Sequence, residues 1–152
     1  MKVIHRSDLS KLKKDEYAVL FIDDKVKSDD IVSGKFRGAE FAGDADISSF
    51  KASAGDIFYF NMKERPGIVL CGLGDLSKLS EEGMRNCSAA AVKFCMLRKI
   101  EQVTLVVPEI EAFEIETVFR SFAEGALLAN YNFDKYKSDK EKDVPLSKIE
   151  FH

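Results

Sequence analysis

Apolar and polar positions alternate between two rhythms along the 152 residues. Short unbroken apolar runs recur at Tyr17–Ile22 (YAVLFI), Ile68–Cys71 (IVLC) and Val103–Val107 (VTLVV). Runs this short, holding β-branched residues and little polar alternation, predict strands covered on both faces. Asp56–Met62 (DIFYFNM) predicts another strand, Lys2–His5 a short one, and Ile47–Ala52 a further one. Arg65-Pro66-Gly67 stands between Asp56–Met62 and Ile68–Cys71. Pro presets one turn position and Gly supplies positive φ at the next, so these two strands are expected to form a hairpin.

Elsewhere the period becomes helical. Across Glu81–Arg98, Met84, Cys87, Ala91, Phe94 and Cys95 share one face. Ala89–Ala91 adds helix propensity, and Ser77 or Ser80 is placed to cap the first turn. A second stripe joins Ile115, Val118, Phe119, Phe122, Ala126 and Ala129, with Glu114, Glu116, Arg120 and Glu124 off the stripe and facing water. Gly125 interrupts that helix at a cost of roughly 1 kcal/mol relative to Ala. Close approach of another element explains it best, because a missing Cβ leaves room for one. Beyond the helix, Tyr131, Phe133 and Tyr136 interleave with Asn132, Asp134, Lys135 and Lys137. That pattern predicts a segment laid over the domain's edge, rings inward and charges outward.

Strand, helix, strand, helix at this spacing describes βαβ crossovers. The expected class is α/β: a three-layer α/β/α domain with a mostly parallel sheet that the hairpin makes mixed. Asp8–Lys14 reads as a turn or loop, and Lys25–Asp46, with Gly34, Gly38 and Gly43, as loop with short extended pieces. Residues 1–133 are expected to form the domain. Residues 134–152 are expected to be a charged linker followed by a terminal strand, Val144–Phe151, at the sheet edge or opening a further segment.

Composition narrows the function. Hydrophobic residues make up 45% and charged residues 32%, which suits a globular domain. The net charge of −3 argues against a nucleic-acid module. In the one lysine-rich aromatic stretch, Lys135, Lys137, Lys140 and Lys142 are balanced by Asp134, Asp139, Glu141 and Asp143. No apolar run approaches the ~18 residues of a membrane span. The first residues lack the apolar core of a secretory signal. Three irregularly spaced cysteines make no disulfide framework and no metal knuckle, so reduced thiols are expected.

Few residues are candidates for chemistry. Gly72-Leu73-Gly74 follows a strand and precedes a helix, where phosphates are often bound. Gly72 and Gly74 are therefore the candidate ligand-binding positions. The third Gly of a dinucleotide fingerprint is replaced by Ser77, which favours a simple tight turn. His5 and His152 stand near opposite chain ends, and Cys87 and Cys95 are about two helical turns apart, so no metal site is expected within the chain. Asp23-Asp24 and Asp29-Asp30 read as solvated loop charge. Cys71 lies near a helix start, where a thiol can acidify, but a buried strand cysteine is the plainer reading. No residue is expected to be catalytic.

The run Glu124–Lys137 (EGALLANYNFDKYK) resembles the end of the N-terminal domain of the leucine (cytosol) aminopeptidase family. The strand ending in Gly72-Leu73-Gly74, the Ala-rich helix after it and the strand before Pro108 follow in that family's order. The resemblance implies a macro-domain-like fold. It also implies a second domain, carrying two divalent metals (zinc or manganese) and an NTDAEGR motif, which removes N-terminal residues from peptides. Nothing in this sequence matches that motif, so no catalytic residue carries over. The resemblance further implies a cytoplasmic homo-hexamer in which N-terminal domains assist assembly or shape access to the active sites. The chain is then expected to stop about where the catalytic domain would start. The alternative is a stand-alone macro-like module binding ADP-ribose or a nucleotide.

Overall fold

The computed structural model describes residues 2–5, 12–26, 48–60, 66–131 and 144–152. The strands are β1 (Lys2–His5), β2 (Tyr17–Asp23), β3 (Ile57–Phe60), β4 (Gly67–Gly74), β5 (Gln102–Val106) and β6 (Lys148–Phe151). The helices are α1 (Glu81–Leu97) and α2 (Ile115–Asn130), with one 3-10 turn at Leu76–Lys78. The strands form a single sheet in the order β1-β6-β5-β2-β4-β3, parallel throughout except for the antiparallel β3–β4 pair. The architecture is α/β with a mostly parallel mixed sheet, as the sequence predicts.

The unbroken apolar runs are explained by position. β2 lies between β4 and β5, so both its faces are covered. Val19 and Phe21 point toward the helices, while Ala18, Leu20 and Ile22 pack on the opposite face with Leu12, Ala52, Phe50 and Val26. Both helices lie on the first face. On the second face the described residues are irregular chain, and no described helix lies there.

Helix α1 starts at Ser80, whose Oγ accepts from the Gly83 N–H at 3.0 Å. Of the two serines proposed as caps, Ser80 caps α1. Ser77 instead donates its hydroxyl to Asp75 at 2.7 Å in the 3-10 turn. The helices meet at Gly125: a Cβ built there would lie 2.3 Å from the Arg85 carbonyl oxygen of α1. Ser88 donates to the Phe122 carbonyl at 2.7 Å, and Arg85 Nε to Glu124 at 2.7 Å, along the same seam. The close approach expected of Gly125 is therefore present, and Glu124, expected in water, is half-buried in the ion pair.

Other expectations are corrected. Ser48–Ser53 is turn and irregular chain instead of a strand; Ala52 sits at φ 55, outside any strand conformation. The terminal strand is no edge: β6 runs between β5 and β1, so residues 148–151 complete this sheet. Its approach is fixed by Asn130, whose side chain donates to the Leu146 carbonyl at 3.1 Å and accepts from the Leu146 N–H at 2.7 Å. Tyr131 is exposed and does not turn its ring inward. On the α2 stripe, Val118, Phe122 and Ala126 are buried, but Ile115 and Phe119 are 52% and 39% exposed. Phe133, Tyr136, the charged linker 134–143 and most of Lys25–Asp46 lie outside the described residues.

Candidate functional site

The Gly72–Gly74 turn is used by the fold itself. The Gly72 N–H donates to the Asp56 carbonyl at 2.8 Å, and its carbonyl accepts from the Gly55 N–H at 2.9 Å. The Gly74 N–H donates to the Ala52 carbonyl at 2.9 Å, and its carbonyl accepts from the Asp24 N–H at 3.1 Å. A Cβ on Gly72 would lie 2.1 Å from the Ser53 carbonyl oxygen. Glycine is needed here because the 52–56 segment lies directly against β4. Both amides already have protein acceptors, so neither is turned toward a phosphate.

Cys71 and Cys87 meet behind that turn. Cys71 Sγ donates to the Cys87 carbonyl and Cys87 Sγ to the Gly72 carbonyl, each at 3.4 Å. The neighbouring Cys87 thiol, together with burial, holds Cys71 protonated well above the ordinary thiol range. The same neighbour shifts Cys87 the opposite way, below the ordinary thiol range. Cys95, farther along α1, is pushed up to about 12 by burial. All three are at most 2% exposed, which removes them from nucleophilic use. Sequence spacing could not bring Cys71 and Cys87 together, because one is on a strand and the other on the helix laid over it.

Cys95 has a consequence for alkaline stability. Its folded pKa of about 12 lies above the unfolded value of 9.0. The folded chain keeps a proton that the unfolded chain loses, so stability is intact below pH 9 and falls as pH rises toward 12. The full effect is at most about 4 kcal/mol. Urea unfolding at pH 8 and pH 11 is expected to show a smaller loss of stability for Cys95→Ala than for the unmodified chain. Equal losses would remove the thiol as a cause.

One cleft stands out among the described residues. It has a volume of about 540 Å³ and opens at the carboxyl ends of the parallel strands. Ile22 and Asp23 from β2, Val107 and Pro108 after β5, and Ile115 and Phe119 of α2 form much of its wall. The β5–β6 ladder extends past its last regular residues, with the Val107 N–H donating to the His152 carbonyl at 2.9 Å, and this sets His152 at the cleft. The chain leaves β2 toward β3 and β4, then crosses back through α1 to β5 on the other side of β2. Such a reversal opens a crevice that α/β proteins use for ligands. The sequence reading missed this cleft: its residues are scattered, and Ile115 and Phe119 looked like core.

Among the described residues, no group of three or more His, Cys, Asp or Glu side chains is placed to hold a metal. The divalent metals implied by the resemblance thus find no fitting donor set there. No helix among these residues is long and apolar enough to cross a membrane.

Comparison with known proteins gives one consistent result. The family described as "Cytosol aminopeptidase family, N-terminal domain" matches residues 45–140. A protein of Clostridium perfringens named "Probable cytosol aminopeptidase" is 33% identical over 101 residues, covering 64% of this chain and 20% of its own length. One of Aquifex aeolicus with the same name is 34% identical over 101 residues, covering 65% and 20%. The chain thus spans about a fifth of the curated relatives it matches. Among solved structures, a mutant of tomato leucine aminopeptidase superposes with a TM-score of 0.75 at 13% identity, covering 99% of this chain and 32% of that one. The bottromycin maturation enzyme BotP does so with 0.64 at 18%, covering 90% and 27%. These two likenesses concern the fold.

Proposed function

Since the chain belongs to the cytosol aminopeptidase family through its N-terminal domain, we propose that it serves as the non-catalytic accessory domain of a metal-dependent aminopeptidase. In this reading it assists assembly, or shapes access to the active sites, of a cytoplasmic enzyme that removes N-terminal residues from peptides. The two divalent metals, zinc or manganese, belong to a separate catalytic domain, and the assembly is a homo-hexamer. One observation carries the proposal: relatives named as aminopeptidases match this chain over only about a fifth of their length. The alternative of a phosphate-cradling nucleotide module loses its support at Gly72 and Gly74, whose amides are engaged within the protein.

The 152-residue chain is expected to hydrolyse no Leu-p-nitroanilide with Mn²⁺ or Zn²⁺ added. Robust turnover abolished by a chelator would overturn the proposal. In the Aquifex aeolicus relative, deleting the segment that this chain matches is expected to weaken assembly or raise KM. A deletion mutant with unchanged assembly and unchanged KM would also count against it.

A further inference from the structure

The geometry points to the strand-end cleft as a binding site for a small apolar primary amine, a molecule with an aliphatic or aromatic body and one ammonium group. The inference is independent of the accessory-domain reading. A volume of about 540 Å³ lies within the range of small-ligand pockets. The wall is mainly apolar, so it favours an apolar body.

The charge of the site selects its polar partner. Asp23 and Glu109 both line the cleft. Asp23 is half-buried, and its Oδ1 accepts from the Lys25 N–H at 2.9 Å, which fixes the carboxylate. Neither carboxylate joins an ion pair among the described residues. The segment that leads from β5 into α2 adds Glu111 and Glu114, the first turn of α2 adds Glu116, and residues 107–116 carry no Lys or Arg. Those charges outweigh the partial positive charge of the α2 N-terminus, roughly half an elementary charge. A phosphate or carboxylate would be repelled, whereas an ammonium beside Asp23 would gain a charge-assisted hydrogen bond next to a low-dielectric wall.

Leucinamide is a suitable probe, because it joins an ammonium to a branched aliphatic body. Calorimetry at low salt, paired with an NMR titration of the 152-residue chain, is expected to show saturable binding with shifts at Asp23, Val107, Ile115 and Phe119. N-acetyl-leucinamide, which has no charge, is expected to bind at least tenfold more weakly. Asp23→Asn is expected to weaken leucinamide at least tenfold while keeping an oxygen for the Lys25 N–H. Phe119→Ala, on the apolar wall, is expected to weaken both compounds. Equal affinity for the two compounds, insensitivity to Asp23→Asn, or no binding at the solubility limit of leucinamide would each overturn the inference. So would preferential binding of ADP-ribose in the cleft, or a dimer whose contact fills it. Peptide hydrolysis plays no part in this readout, so its outcome is separate from that of the accessory-domain proposal.

Discussion

Phe122→Ala is expected to cost about 3–5 kcal/mol, a large share of the stability of a domain this size. Phe122 is fully buried, and its ring sits 4.4 Å from that of Phe21, tilted by 56°. This contact joins α2 to the central strand, so truncation opens a cavity between a helix and the sheet. The surroundings have little freedom to collapse into it, because the Phe122 carbonyl is tied to Ser88 of α1. Phe119 is the control on the same helix. It rests on Phe151 with a centroid distance of 5.2 Å, yet more than a third of it faces solvent. Phe119→Ala removes less buried area and is expected to cost less than half as much. Urea denaturation of both variants provides the test. Similar losses would mean that the two rings are equally buried in solution.

Gly125→Ala comes second, and its sign is the informative part. Propensity alone predicts a gain of about 1 kcal/mol from replacing a mid-helix glycine. The packing predicts a loss. The new Cβ would lie 2.3 Å from the Arg85 carbonyl oxygen and 2.8 Å from the Arg85 Cα. Those are backbone atoms of α1 and cannot rotate away, so the helices must separate. Overpacking of this kind costs about 1–3 kcal/mol and sometimes more. A backbone clash this close sits at the upper end of that range, about 3 kcal/mol, so after the propensity gain the net expectation is a loss of about 2 kcal/mol, or a fall in Tm of roughly 4–8 °C. Gly83 in α1 provides the contrast. A Cβ there meets only side-chain atoms, Leu79 Cδ1 at 3.2 Å and Ser80 Oγ at 3.5 Å. Gly83→Ala is expected to be neutral or slightly stabilising. A rise in Tm for Gly125→Ala would show that the two helices are not in close contact at that point.

Much of the fold was legible because it depends on local order. The unbroken runs at 17–22, 68–71 and 103–107 marked strands buried on both faces, and the helical stripe at 84–95 marked one packed face. The amphipathic stripe of α2 was legible too, but not its limits. Periodicity shows that Ile115 and Phe119 share a side with Phe122; it does not show where the sheet beneath them ends. They lie beyond the strand termini and so line a cleft. The strand expected over Ile47–Ala52 failed across its described residues, 48–52, for a related reason. Its residues suit an extended conformation, but Ala52 takes a positive φ where the chain turns to lie against Gly72 and Gly74. The terminal strand shows the same limit: its alternation was visible, its neighbours were not.

By itself, the sequence determined the α/β class, the hairpin, both helices and the close packing at Gly125, because each follows from spacing within one segment. Only the tertiary structure decided that β6 lies inside the sheet, that Cys71 meets Cys87, and that Asp23, Glu109 and His152 reach one cleft. Those outcomes depend on strand order and on the crossover through α1, which bring together residues separated by tens of positions. The glycines of the 72–74 turn needed both levels. Their spacing marked a special backbone, and the 52–56 segment lying on them showed that its purpose is packing.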